Sequence, residues 1–184
     1  MSTQWLPALV LLADSSGDWG RYVEHLYAYF VADFETAKPS WPGKRVGLKR
    51  HPEYDGKSAT FWHFVSDGAN EAERIPDMRR CERIRWPRPI MEGFNQSKPD
   101  MATARMIWWK NRRGNEDRYL LALSDFSYIV VVADRGDFVL PWTAYTVDRD
   151  HRRNKLKKDF EFYWEARKAE AAPKGGPVTP STRG

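Results

Sequence analysis

The chain is predicted to be an α+β protein: N-terminal helix or helices, then a curved antiparallel sheet of about four strands, closed by a C-terminal helix. Three observations predict it. Trp19, Tyr22, Val23, Leu26, Phe30 and Phe34 recur at helical spacing over residues 18–35. Residues 104–147 contain four β-rich runs separated by turn residues. Leu156, Phe160, Tyr163 and Trp164 then return to helical spacing.

The elements follow in order. Trp5 to Ala13 is apolar and ends at Asp14, which suits a core strand or helix start. Ser15, Ser16 and Asp18 offer capping groups for the helix over 18–35. Pro39, Pro42 and Gly43 break the chain after it. Ala59 to Val65 is rich in β-formers and predicts a strand, with Phe61, His63 and Val65 on one face. Residues 69–81 carry many charges and predict a short helix interrupted near Pro76. Arg83-Ile84-Arg85-Trp86 alternates, with Pro87 and Pro89 blocking a continuous central strand. The meander comprises Ala104–Asn111, Arg118–Leu123, Tyr128–Ala133 and Phe138–Val147, with turns at Arg113-Gly114-Asn115 and Asp134-Arg135-Gly136-Asp137. Pro141 marks an edge or a bulge in the last strand. Residues 1–171 make a single domain. The tail, 172–184, lacks large side chains and predicts disorder.

Composition narrows the function classes. Nine Trp in 184 residues supply a substantial core. A net charge of +5 favours a polyanionic partner. The single cysteine, Cys81, excludes an intramolecular disulfide and a Cys-based metal site. The first apolar run is too short to span a bilayer and has no basic leader, so the expected compartment is the cytoplasm, with no membrane partner. No Walker motif, Gly-x-Gly-x-x-Gly, nucleophile elbow or carboxylate cluster with metal spacing occurs, so no cofactor is expected.

The candidate site residues are those that handle phosphate. Thr143 and Tyr145 lie two apart on the last strand and share a face. A cationic helix start with His151, Arg152, Arg153, Lys155, Lys157 and Lys158 follows. His63 sits in a stiff aromatic run, and imidazole suits proton transfer near neutral pH. Arg79, Arg80, Arg83 and Arg85 form a second basic group whose planar forks match phosphate oxygens. Local salt bridges to Glu71, Asp77 and Glu82 are the competing explanation. Lys110, Arg112 and Arg113 follow Trp108 and Trp109, which suits base stacking or a core strand equally. Without metal ligands, a polyanion-acting enzyme needs a substrate that carries its own nucleophile. RNA does, in its 2′-hydroxyl.

Three stretches, Gly56–His63, Arg79–Trp86 and Trp142–Tyr145, together with the meander, resemble the Barnase–EndoU–colicin–RelE superfamily of metal-independent ribonucleases, in its phage- and toxin-associated branch. The resemblance covers roughly residues 44–165. It implies RNA lying across the sheet, and a small antitoxin or immunity protein as a partner. It implies catalytic roles for His63 as acid or base, for Arg83 and Arg85 on the phosphorane, and for Thr143 and Tyr145 on the phosphate. Lys57, Arg79, Arg80, Arg152 and Lys155 would bind flanking RNA. The chain departs from the two-histidine EndoU pattern, and His51 is the available second histidine. The expectation is a cytoplasmic, metal-independent endoribonuclease, the toxin of a toxin–antitoxin or phage-derived system. The alternatives are a non-catalytic RNA- or DNA-binding module and a protein-interaction subunit.

Overall fold

A computed structural model describes residues 3–68 and 70–171. The expected disordered tail lies outside them. The protein is α+β, with helical elements first, a mixed five-stranded sheet, and a long C-terminal helix. Helix α1 (Trp19–Phe30) starts where Asp18 accepts a hydrogen bond from the Arg21 N–H, and it runs on as a π-helical turn over Val31–Thr36. Its apolar stripe is buried through Tyr22, Val23, Leu26 and Phe30, as the periodicity predicts, while Trp19 at its start is exposed. The first apolar run contributes Leu6 and Val10 to the core and ends in a 3₁₀ turn, Leu12–Ser15.

The central sheet has the order β1-β7-β6-β5-β4. The meander comprises β4 (Met106–Arg113), β5 (Glu116–Leu123), β6 (Tyr128–Asp134) and β7 (Phe138–Thr146), each antiparallel to the next. The hairpin turns place Gly114 and Gly136 at φ 61° and 80°, where a side chain is disfavoured. A short β1 (Arg45–Val46) adds in parallel to the outer edge of β7. The β6–β7 register shifts between Val131 and Val132, so Val131 faces Thr143 while Val132 faces Pro141. Trp142 is the extra residue, and Pro141 marks the bulge as expected.

Alternation divides the sheet into two faces. One carries Trp108, Tyr119, Leu121, Val130 and Tyr128. Trp86 from before α4 (Pro87–Glu92) packs on Tyr128, and Phe94 and Trp41 pack on Tyr119. The other face carries Trp109, Asn111, Arg118, Leu120, Val131, Thr143 and Tyr145. Helix α5 (Asp150–Ala171) covers one end of it, setting Phe160 against Trp109 and Phe126 and burying Leu156. The Trp164 indole N–H donates to the Trp108 carbonyl at 2.9 Å and fastens α5 to the β4 edge. The other end of this face, flanked by α2 and α3 packed against β7, forms the floor of the cleft described below.

Two local expectations are corrected. Ala59–Val65 is a helix, α2, not a strand. Ser58 is its extended N-cap residue, and Phe61 and Phe64 pack edge-on against Phe30. Six of its seven residues are buried, so burial on nearly all sides erases the amphipathic period and packing overrides β propensity. Arg83–Trp86 is no strand but a turn between α3 (Met78–Glu82) and α4, with Pro87 at the first helical position, where its missing N–H costs nothing. Within 69–81, the charged segment forms β3 (Ile75–Pro76), paired with β2 (Ser66–Asp67), and then α3.

Candidate functional site

A cleft of about 580 Å³ opens on that end of the sheet face. Its floor is Leu120, Val131, Thr143 and Tyr145. The β2–β3 hairpin and α3 form one wall with Asp67, Arg74, Asp77 and Arg80, and the start of α5 forms the other with Asp148, Arg149, His151 and Arg152. Asn111, Arg113 and Arg118 from the β4–β5 hairpin close one end, with Trp142 and His63 also reaching the lining.

Six arginines line this cleft against three aspartates. The charges differ in how they are engaged. Asp67 pairs with Arg80 at 2.8 Å, and Asp148 pairs with the exposed Arg79 outside the lining. Asp77 caps α3, accepting from the Arg79 and Arg80 N–H groups. Arg118 is held by Glu116 at 2.5 Å. Arg74 donates to the Ser66 and Gly68 carbonyls, which orient it without neutralising its charge. Arg113, Arg149 and Arg152 are exposed and have no carboxylate partner among the described residues. The cleft is therefore a cation-rich concavity with guanidinium forks free to take an anion.

Arg80 is the structural pivot. It is buried, and its guanidinium donates to Ser66 O at 2.9 Å, Thr143 Oγ1 at 3.0 Å and Asp67 Oδ1 at 2.8 Å. Thr143 Oγ1 in turn donates to His63 O at 2.9 Å. Thr143 lines the cleft, but its hydroxyl is spent on this network. Tyr145 is half-buried, with Arg80 5.7 Å and Arg152 5.6 Å from its ring centroid, and its hydroxyl has no hydrogen-bond partner among the described residues.

His63 lies on α2, 4% exposed, facing β7 rather than sharing a strand face with Phe61 and Val65. Its Nδ1 is 3.1 Å from Trp142 O, and its Nε2 is 2.8 Å from a Glu71 carboxylate oxygen that also bonds Lys49. Burial pushes the imidazole below its ordinary range against the pull of Glu71, and Arg74 and Lys49 add to the lowering. Burial also works to raise the Glu71 carboxyl, but the hydrogen bonds from Lys49 and His63 outweigh it and hold it low.

The remaining sequence candidates fall elsewhere. Arg83 donates to Arg79 O and Glu82 and lies over Trp86, outside the cleft. Arg85 lies over Tyr29 and lines a separate cleft with Asp33 and Arg88. The expected convergence of Arg83 and Arg85 with His63 and Tyr145 does not occur, because the turn between α3 and α4 places them outside the cleft. Lys57 is buried and paired with Glu24 at 2.6 Å, so it is not a surface contact for a strand. Lys155 is exposed on α5 but does not line the cleft, whereas Arg152 does. Cys81 is structural: its thiol donates to Val65 O, and burial pushes its pKa up to about 12. Sequence reasoning missed Arg74, Arg118 and Arg149. Arg118 was legible, since it alternates with Leu120 on the face opposite Tyr119. Arg74 was not, because its position depends on the β2–β3 pairing.

Among the described residues, no group of three His, Cys, Asp or Glu side chains is placed to hold a metal ion, and no helix is long and apolar enough to cross a membrane. No family model, curated protein or solved structure matches the chain.

Two measurements follow from this geometry. Arg80→Met removes the donor to Thr143 Oγ1, one of the two donors to Ser66 O and the pair to Asp67, and should cost about 2–3 kcal/mol by urea unfolding. Arg79→Met breaks an exposed pair and should cost under about 1 kcal/mol. Equal losses would remove Arg80 from its structural role. The second concerns pH. The folded state holds His63 and Glu71 below their ordinary values of 6.5 and 4.5, so the unfolded chain binds more protons on acidification. Their contribution is present above pH 6.5 and is lost as pH falls, first through the His63 transition and then through that of Glu71. His63→Gln should flatten the upper part of that loss. A melting temperature that rises from pH 7 to 5.5 in the unaltered protein would show instead that Glu71 keeps the ring charged.

Proposed function

We propose that this chain binds single-stranded RNA in the arginine-walled cleft. The observation that carries the reading is the convergence of Arg113, Arg149 and Arg152, each without a carboxylate partner among the described residues, on one concave surface. A monoanion needs fewer such groups. Arginines spread from the β4–β5 hairpin to the first turn of α5 match a chain of phosphates. Arg74 adds a fourth charge already oriented by backbone carbonyls. The proposed roles of the sequence candidates change accordingly. Thr143 and His63 support the cleft, and Arg152 and Tyr145 face the ligand.

A second reading, the metal-independent endoribonuclease of the resemblance above, is favoured by the Tyr145 hydroxyl. Its ring lines the cleft with Arg80 and Arg152 over it, and the hydroxyl has no protein partner among the described residues. In this reading the 2′-hydroxyl attacks the adjacent phosphorus, the 5′-oxygen leaves with a proton, and the arginines stabilise the charge on the phosphorane. The reading has Tyr145 exchange the proton, since both ring nitrogens of His63 face protein oxygens. An antitoxin or immunity partner belongs to this reading alone.

The test is anisotropy of a labelled RNA 12-mer across a salt series. Binding through Arg74, Arg113, Arg149 and Arg152 predicts a log–log salt slope of about −3, at roughly −0.7 per phosphate on a single strand. Alanine at Arg113, Arg149 or Arg152 should each reduce that slope by about 0.7 and weaken binding. A slope near zero, or three alanine variants that bind like the parent, would overturn the reading. Single-turnover cleavage on the same 12-mer decides between the two readings. The nuclease predicts cutting that persists in EDTA, stops with a 2′-deoxy nucleotide at the scissile position, and slows roughly 10²–10⁴-fold in Tyr145→Phe. Tight binding with no cutting across a broad RNA pool leaves the binding module.

A further inference from the structure

We infer that the cleft reads phosphates and not bases, so that it takes a single strand whatever its sequence; this rests on the RNA-binding reading above. Proteins that hold single strands by their bases offer open aromatic rings for stacking, and each stacked base is worth about 5- to 150-fold in affinity. Two large aromatic rings line the cleft, Trp142 and Tyr145. Both are already covered by cations. Tyr145 has Arg80 and Arg152 within 5.7 Å of its centroid. Trp142 has Arg118 at 4.8 Å, Lys49 at 5.3 Å and Arg135 at 6.0 Å, with His63 against it edge-on.

All of these cations but Arg152 are fixed by partners of their own. Arg80 is fixed by Ser66, Thr143 and Asp67, and Arg118 by Glu116. Lys49 is bonded to Glu71, and Arg135 is paired with Glu116 at 2.6 Å. A base that displaced Arg80, Arg118, Lys49 or Arg135 would forfeit a cation–π contact and the ion pair behind it.

Hydrogen-bond readout of base edges is equally restricted. Reading an exocyclic amino group needs an acceptor, and the acceptors of highest charge in the cleft are Asp67, Asp77 and Asp148. Each is already bonded, to Arg80, to the α3 N-terminus and to Arg79 respectively. Leu120 and Val131 on the floor have no polar side-chain atoms. Beside the Tyr145 hydroxyl and the His151 ring, what remains on offer is mostly guanidinium N–H forks, which suit phosphate oxygens. Asn111, at the end of the cleft, is the one amide side chain in the lining.

The test is competition anisotropy against the labelled 12-mer at 0.15 M salt. The competitors are unlabelled 12-mers of mixed-sequence RNA, oligo(A), oligo(U) and an abasic sugar–phosphate strand, each also run against Asn111→Ala. The inference predicts affinities within threefold of one another, and the same spread in Asn111→Ala. A base-bearing strand that binds more than threefold tighter than the abasic one overturns it while leaving the RNA-binding reading in place. A spread that narrows in Asn111→Ala assigns base reading to that amide and also overturns it. Failure of every strand to bind removes the RNA-binding reading and this inference together.

Discussion

One buried guanidinium holds the cleft in shape. Arg80, on α3, sits where α2, β2 and β7 meet, bonding to a group of each. It donates to a β2 carbonyl and to the β7 threonine, pairs with Asp67, and stands on the helix capped by Asp77. A buried charge is tolerated only when it is paired and hydrogen-bonded. Here that requirement is met at both Nη atoms by groups from separate elements, while Nε has no hydrogen bond. The wall, the floor and the helix beneath them are therefore held at fixed spacing by one side chain. Thr143 extends the network to the His63 carbonyl, and His63 reaches on to Trp142 and Glu71.

This arrangement separates two kinds of charge in the cleft. Arg80 and Arg118 are spent on holding protein to protein. Arg113, Arg149 and Arg152 are presented to solvent by elements that the first group positions. A ligand that binds the second group leaves the scaffold intact, because the scaffold's ion pairs are its own. The bulge at Trp142 serves the same end. It turns the β7 chain so that the indole lies among Arg118, Arg135 and Lys49, while Thr143 and Tyr145 return to the cleft face.

How much of this was legible in the sequence depends on the range of the interactions. The meander was, because alternation and Gly-containing turns are local signals; so was the last helix, through Leu156, Phe160 and Trp164. Thr143 and Tyr145 share one face of the last strand, as period alone predicts. Ala59–Val65 was misread because its residues are enclosed nearly all round, and an enclosed helix carries no stripe. That one error moved His63 from a strand face to a helix packed on β7. Arg83 and Arg85 were misplaced for a related reason: alternation over four residues also fits a turn, and two prolines decided it. The partner of each arginine is a tertiary fact. Lys57 and Arg80 look like free cations along the chain and are buried ion pairs in the fold.

The central claim is that the guanidinium groups at the mouth of this one cleft form the ligand surface. It is tested most directly by titrating an RNA 12-mer into protein labelled with ¹⁵N-arginine and following the side-chain Nε–Hε resonances. The account predicts that Arg113, Arg149 and Arg152 shift together and saturate at one equivalent, while Arg85 and Arg88, in the other cleft, stay in place. Shifts at Arg85 and Arg88 with Arg113, Arg149 and Arg152 unmoved would contradict it.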